Sequence, residues 1–215
     1  PTIRKEYVAG VVERTNETMP DIIVVTGDLI DGETDSLVPH LEPLRHLKAK
    51  YGVFYVTGNH EYYWQPASLI EKVKELGFQV LVNENRIIQV GDAKLMIAGL
   101  PDIVGAHVLK GHAPDLSSTL KTESKPDLKI MLIHRPDAYE AIEKAGFDIQ
   151  FSGHTHAGQF FPFSLLMPLA HKYYKGLNRH GRLWIYVNQG SGYWGPANRF
   201  AIPTEITLAT LSSSI

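Results

Sequence analysis

Four polar clusters each close an apolar run: Gly27-Asp28-Leu29-Ile30-Asp31-Gly32, Gly58-Asn59-His60-Glu61, the single His134, and Gly153-His154-Thr155-His156. They offer carboxylate, amide oxygen and imidazole without thiolate, since the chain has no cysteine. That donor set suits Mn, Fe, Zn or Ni. Asp28 has two carboxylate oxygens and could bridge two ions. Two ions about 3.5–4 Å apart can activate a water and clamp a phosphoryl group for in-line attack. A further side chain must protonate the leaving oxygen. His60 suits that task because histidine titrates near neutral pH, and Asp31 would orient its ring. His154 and His156 sit two residues apart, so an extended backbone would aim both into one site.

Elements must then bring these clusters together. Ile22 to Thr26 is a continuous apolar, β-branched run, the pattern of a strand buried on both faces, and Val53 to Thr57, Lys129 to Ile133 and Asp148 to Ser152 are expected as further strands of that kind. Each leads into one of the clusters. In open α/β sheets a ligand sits beyond the carboxyl ends of the strands, so four distant clusters would converge there. Amphipathic spacing predicts helices over Thr2 to Thr18, Asp35 to Lys48 with Asp35 as cap, and Pro66 to Leu76. Pro136-Asp137 opens another, with Asp137 and Glu140 as a capping box. Gln79 to Val82, Arg86 to Val90 and Lys94 to Gly99 are expected as short strands. Leu183 to Val187 and Ile206 to Leu211 are expected to close the fold. A short helix is expected near Ser117 to Thr122. The expected class is α/β, a single domain over residues 1–215.

With 215 residues, 44% hydrophobic and 20% charged, the chain suits one globular domain with a sizeable core. A net charge of -2 gives no reason to expect a nucleic-acid partner. No run of about 18 apolar residues occurs, so no spanning helix is expected. Missing cysteine fits a reducing compartment; the expected location is cytoplasmic, at the membrane surface if the apolar segment described below meets lipid.

Taken singly the clusters are weak. Asp28 and Asp31 could be turn residues, and Asn59-His60 a turn. Glu61 is expected to be structural. His40, His46, His107, His112, His171 and His180 fit no motif.

Taken together and in order, these motifs resemble the calcineurin-like metallophosphoesterases over most of the chain. The resemblance implies an αββα two-sheet sandwich and a dinuclear site with two divalent ions, manganese first among Mn, Fe, Zn and Ni. It implies Asp28 as the bridging ligand, Asn59, His134 and His154 as ligands of one ion, and His156 as a ligand of the other. His60 becomes the proton donor, with Asp31 behind it. That family opens with an Asp-x-His motif after its first strand, and none occurs in this chain. The expectation is therefore a domain truncated at its N-terminus, lacking that strand, with one metal position impaired.

Asn188-Gln189-Gly190-Ser191-Gly192 and Arg199 to Leu208 are similar to a bacterial, often membrane-associated branch that includes phosphodiesterases and UDP-diacylglucosamine hydrolases. The expected substrate is a phosphoester, with phosphodiester or pyrophosphate ahead of monoester. Phe160 to Leu169 is apolar and broken by proline. It is either a loop packed on the core or a lip for a lipid-linked substrate or membrane surface, with Lys172, Lys175, Arg179 and Arg182 to meet anionic groups. A non-catalytic scaffold of the same fold that binds a partner protein is the rival function. A mononuclear zinc hydrolase is a third.

Overall fold

The computed structural model describes residues 3–212. Thr2, where the first predicted helix begins, lies outside them. The first part of the chain runs α1 (Lys5–Glu17), β1 (Ile23–Val25), α2 (Thr34–Leu41), β2 (Val53–Tyr55), α3 (Asn59–Tyr63), α4 (Pro66–Glu75) and β3 (Phe78–Val80). β1, β2 and β3 pair in that order as a parallel sheet.

The second part runs β4 (Glu84–Val90), β5 (Ala93–Gly99), α5 (Gly105–Val108), α6 (Leu116–Thr119), β6 (Leu128–Leu132), α7 (Tyr139–Lys144), β7 (Ile149–Ser152), α8 (Met167–Ala170), β8 (Gly176–His180) and β9 (Leu183–Val187). Its six-stranded sheet has the order β4-β5-β6-β7-β9-β8. The four inner strands are parallel, and β4 and β8 pair antiparallel at the edges.

Alternation along the strands builds a layered mixed α/β fold. Val53 and Tyr55 face a core shared with Val8 and Val12 of α1 and Leu69, Ile70 and Val73 of α4. Phe54 and Val56 face the other way, against Ile97, Ile130 and Leu132 of the second sheet. Met96, Ala98 and Met131 point outward from that sheet onto Ile142 of α7. The order is thus helices, sheet, sheet, helix, as successive side chains of a strand take opposite faces.

Several expectations need correction. The helix predicted for Asp35 to Lys48 begins at Thr34 and stops at Leu41, giving way to a 3-10 turn over Glu42–His46. Pro39 and Pro43 remove backbone donors there. Asp35 lies inside the first turn and caps nothing. Asp137 makes no capping bond either; a 3-10 turn, Pro136–Ala138, precedes α7. Ile206 to Leu211 is not a strand. β9 already has a neighbour on each side, and the segment is tied on by side chains such as Thr207, which accepts from Asn188 at 3.0 Å. β8 has no apolar signature, because its one large apolar residue, Leu177, faces solvent.

Candidate metal centre

β1 and β2 of the first sheet and β6 and β7 of the second all end at one place. Contact there is tight. A Cβ on Gly27 would lie 2.3 Å from Gly58 N and 2.8 Å from His134 Nδ1, and a Cβ on Gly58 would lie 2.1 Å from Asp28 Oδ1. Only glycine at 27 allows the second sheet's His134 to come this close to the first. Asp28 itself has a left-handed backbone, φ 56°, which aspartate tolerates better than most residues. Glu61, wholly buried, clamps it by accepting backbone N–H groups from Asp28 at 3.0 Å, Leu29 at 2.6 Å and Gly58 at 2.6 Å.

The hydrogen bonds fix which atoms meet. His134 Nδ1 donates to the Thr26 carbonyl at 2.6 Å, a bond between the sheets, so its Nε2 is the atom left for the site. Asn59 Nδ2 donates to Tyr63 Oη at 3.1 Å, which turns Oδ1 the other way. Around His134 Nε2 stand Asp28 Oδ2 at 3.0 Å, Asn59 Oδ1 at 3.2 Å and His154 Nδ1 at 3.1 Å. When His134 is neutral its Nε2 lone pair faces the oxygen lone pairs of Asp28 and Asn59. A cation relieves that repulsion, either a proton on His134 or a metal ion in its place.

Electrostatics follow the same geometry. Burial opposes charge on Asp28, but the His134 imidazole and the His60 backbone N–H outweigh it and hold the carboxyl at about 2. Burial also opposes protonation of His134, and Asp28 reverses that to a raised value. Burial, then the charges of His134 and Arg135, lowers His154 to about 3. A neutral imidazole beside an ionised carboxylate is the state in which both coordinate metal.

His60 lies against this cluster. Its backbone N–H donates to Asp28 Oδ1 at 3.0 Å, and its Nδ1 faces Asp31 Oδ1 at 3.0 Å, leaving Nε2 for a substrate. His156 is arranged differently. The chain leaves β7 in a turn with positive φ at His154, His156 and Ala157, so the extended backbone expected for the two histidines is not formed. His156 Nδ1 accepts from Arg199 Nη2 at 2.8 Å, and burial, then the Arg199 charge, lowers its pKa to about 4. Arg199 also donates to the carbonyls of Gln189, Gly190, Gly192 and Pro203.

Asp28, Asn59, His134 and His154 therefore fit one divalent ion by donor type, and one ligand atom each of Asp28, His134 and His154 lie within 4.8 Å of one another. His156 is not in that group, and its Nδ1 is taken up by Arg199.

Other residues at the site carry no sequence signal. His171 Nδ1 pairs with Asp137 Oδ1 at 2.8 Å, and its ring meets the His154 ring edge-on at 5.8 Å. Arg135 Nε donates to the buried Asp102 carboxylate at 2.7 Å. Neither pair follows from any spacing. Of the apolar segment, Phe161, Phe163, Leu165, Leu166 and Leu169 are exposed while Met167 is buried. Lys172, Lys175 and Arg179 lie over the rings of Tyr139 and Tyr173, Tyr174, and Trp184 respectively. No helix among the described residues is long and apolar enough to cross a membrane.

Residues 4–158 match the family model for calcineurin-like phosphoesterase. The chain is 37% identical over 211 residues to an uncharacterized metallophosphoesterase of Helicobacter pylori, covering 97% of this chain and 56% of that protein. It is 35% identical over 226 residues to a transmembrane protein with metallophosphoesterase domain from Bos taurus, covering 100% of this chain and 51% of that one. It thus spans little more than half the length of these relatives. Among solved structures, the sulfate thiohydrolase SoxB of Thermus thermophilus in complex with glycerol matches with a TM-score of 0.53 at 16% identity, over 84% of this chain and 37% of that one.

Proposed function

The chain belongs to the calcineurin-like phosphoesterase family, and from that premise we propose that it is a metal-dependent phosphoesterase. The observation that carries this reading is the convergence of Asp28 Oδ2, Asn59 Oδ1 and His154 Nδ1 on His134 Nε2, with His134 and Asn59 each oriented by a hydrogen bond directed away from the site. A divalent ion bound there polarises a phosphoryl oxygen and acidifies water. Manganese is the ion we favour, with a second one held weakly by Asp28 and His156.

The chain's own residues position and protonate. Asp28 Oδ1, through the His60 backbone N–H, sets the distance between the donor cluster and the His60 ring. Asp31 holds Nδ1 of that ring and stabilises it when charged, so Nε2 delivers the proton to the leaving oxygen. A non-catalytic scaffold has no use for this pair. We favour phosphodiester or pyrophosphate substrates because the segment from Asn188 to Leu208 is similar to the branch with those activities. A lipid-linked substrate, met at a membrane surface, is supported by the exposed Phe161, Leu165, Leu166 and Leu169 that follow the His154 turn.

Hydrolysis by the Mn-loaded protein tests this, with two phosphodiesters that differ in leaving group and a His60→Ala control. With an alkoxide leaving group the variant should lose roughly 10²- to 10⁴-fold in kcat. With p-nitrophenolate, which needs little protonation, it should lose far less. Equal rates in wild type and variant on both substrates would remove His60 from the chemistry, and no hydrolysis of either by the Mn-loaded wild type would count against the activity.

A further inference from the structure

Arg135 directly follows His134 at the end of β6. Its backbone is extended, φ -87° and ψ 140°, and fixed between His134, whose carbonyl accepts Gly153 N at 2.9 Å, and the buried Pro136. The guanidinium is tethered by one nitrogen alone, Nε to Asp102 Oδ2 at 2.7 Å. Asp102 is a fully buried carboxylate, and its other oxygen accepts Val104 N at 3.0 Å. It is therefore committed to holding this arginine and a turn.

Three facts make the arrangement more than an ion pair. Nη1 and Nη2 have no partner among the described residues. The side chain is 30% exposed while its partner carboxylate is not exposed at all, so the arginine reaches solvent and its anchor does not. The turn that Asp102 starts packs on the helix that carries Asn59 and His60, since a Cβ on Gly105 would lie 2.6 Å from the Tyr62 ring, so the pair stands beside the donor cluster. Burying a carboxylate to hold one nitrogen of an arginine costs more desolvation than a surface contact would. The result is a fork fixed in place with its two-nitrogen edge open, the geometry that matches two oxygens of a phosphate.

We propose that Arg135 binds non-bridging oxygens of the substrate's phosphate through Nη1 and Nη2, beside the His134 and His154 donors, and that Asp102 is the residue that positions it. This rests on the phosphoesterase reading and names the group that recognises the anion. Neither residue belongs to the four clusters seen in the sequence.

The test pairs turnover with a binding measurement that needs no turnover. Calorimetric titration of inorganic phosphate into the Mn-loaded protein is compared for wild type, Arg135→Gln, Arg135→Lys and the double variant Arg135→Gln/Asp102→Asn. Losing charged hydrogen bonds should weaken phosphate binding about tenfold or more in Arg135→Gln, with KM rising by a similar factor and kcat falling less. Arg135→Lys, which keeps the charge but not the fork, should recover part of this. The double variant leaves no unpaired buried carboxylate, so it should fold even if Arg135→Gln does not, and it should show the same weak binding. Phosphate affinity and KM within about twofold of wild type in the double variant and Arg135→Lys would overturn the assignment while leaving the phosphoesterase reading intact. A wild type that hydrolyses no phosphoester but loses phosphate binding with Arg135 would do the reverse.

Discussion

Glu61 grips the backbone of Asp28: one buried carboxylate takes the N–H of Asp28 and, with it, those of Leu29 and Gly58. Through these bonds the left-handed turn at Asp28 is coupled to the start of α3, which carries Asn59 and His60. Glutamine keeps the shape of Glu61 but replaces one acceptor oxygen with an NH2 group, which would face a backbone N–H. Glu61→Gln should therefore destabilise the fold by about 2–4 kcal/mol, read by urea denaturation. It should also weaken Mn binding, because Asp28 and Asn59 lose their common anchor. Wild-type stability with intact metal affinity would mean that the clamp is dispensable.

What the sequence made legible was the set of strands and what stands at their ends. Val53 to Tyr55 and Ile130 to Leu132 are apolar on both faces because each lies between two packed layers, so their pattern is strong. Asn59, His60 and His134 could be placed because they follow such runs directly. Side chains that meet from unrelated elements were not legible. Asp137 has the spacing of a cap, yet its carboxylate goes to His171, a pairing between residues 34 apart. Arg135 gives no hint of Asp102, and Arg199 none of His156, since nothing periodic links them. The turn at His154 was misread for a related reason: positive φ at a non-glycine residue is set by its surroundings and leaves no mark in the sequence.

Tyr63 should tune metal affinity without touching metal. Its hydroxyl accepts the Asn59 Nδ2 donor and so keeps Oδ1 turned to His134. Tyr63 is largely exposed, and Tyr63→Phe should leave folding stability nearly unchanged. Losing one neutral hydrogen bond worth about 0.5–1.5 kcal/mol should weaken Mn binding roughly two- to tenfold, measured by calorimetry. Asn59→Ala, which removes the donor itself, should weaken it further. Equal affinities for wild type and Tyr63→Phe would show that the amide is oriented by other means.

If the segment after the histidine turn meets lipid, exposed apolar side chains should matter there. Phe161 is 52% exposed and Leu165 64% exposed. Burying such side chains in an apolar phase is worth about 1.5–3 kcal/mol each, so the double change Phe161→Ser, Leu165→Ser should reduce vesicle binding at least tenfold in co-sedimentation. Hydrolysis of a small soluble phosphodiester should be nearly unaffected. Unchanged vesicle binding would confine these residues to packing.

Gly27 offers the sharpest test of how the two sheets make the site. It and Gly77 share nearly the same φ, 95° and 97°. A Cβ at Gly77 meets nothing within 4 Å, whereas one at Gly27 would sit 2.3 Å from Gly58 N and 2.8 Å from His134 Nδ1. Gly77→Ala therefore reports the conformational cost alone, about 1–2 kcal/mol. Gly27→Ala adds a steric cost at the point where Thr26 of one sheet accepts from His134 of the other. It should cost at least about 2 kcal/mol more than Gly77→Ala in urea denaturation, in the range of overpacked sites. Because the only relief is to move Gly58 or His134, Mn affinity should fall in Gly27→Ala and hold in Gly77→Ala. Matching losses of stability and unchanged metal binding in the two variants would show that the sheets can part at this seam without disturbing the donor cluster.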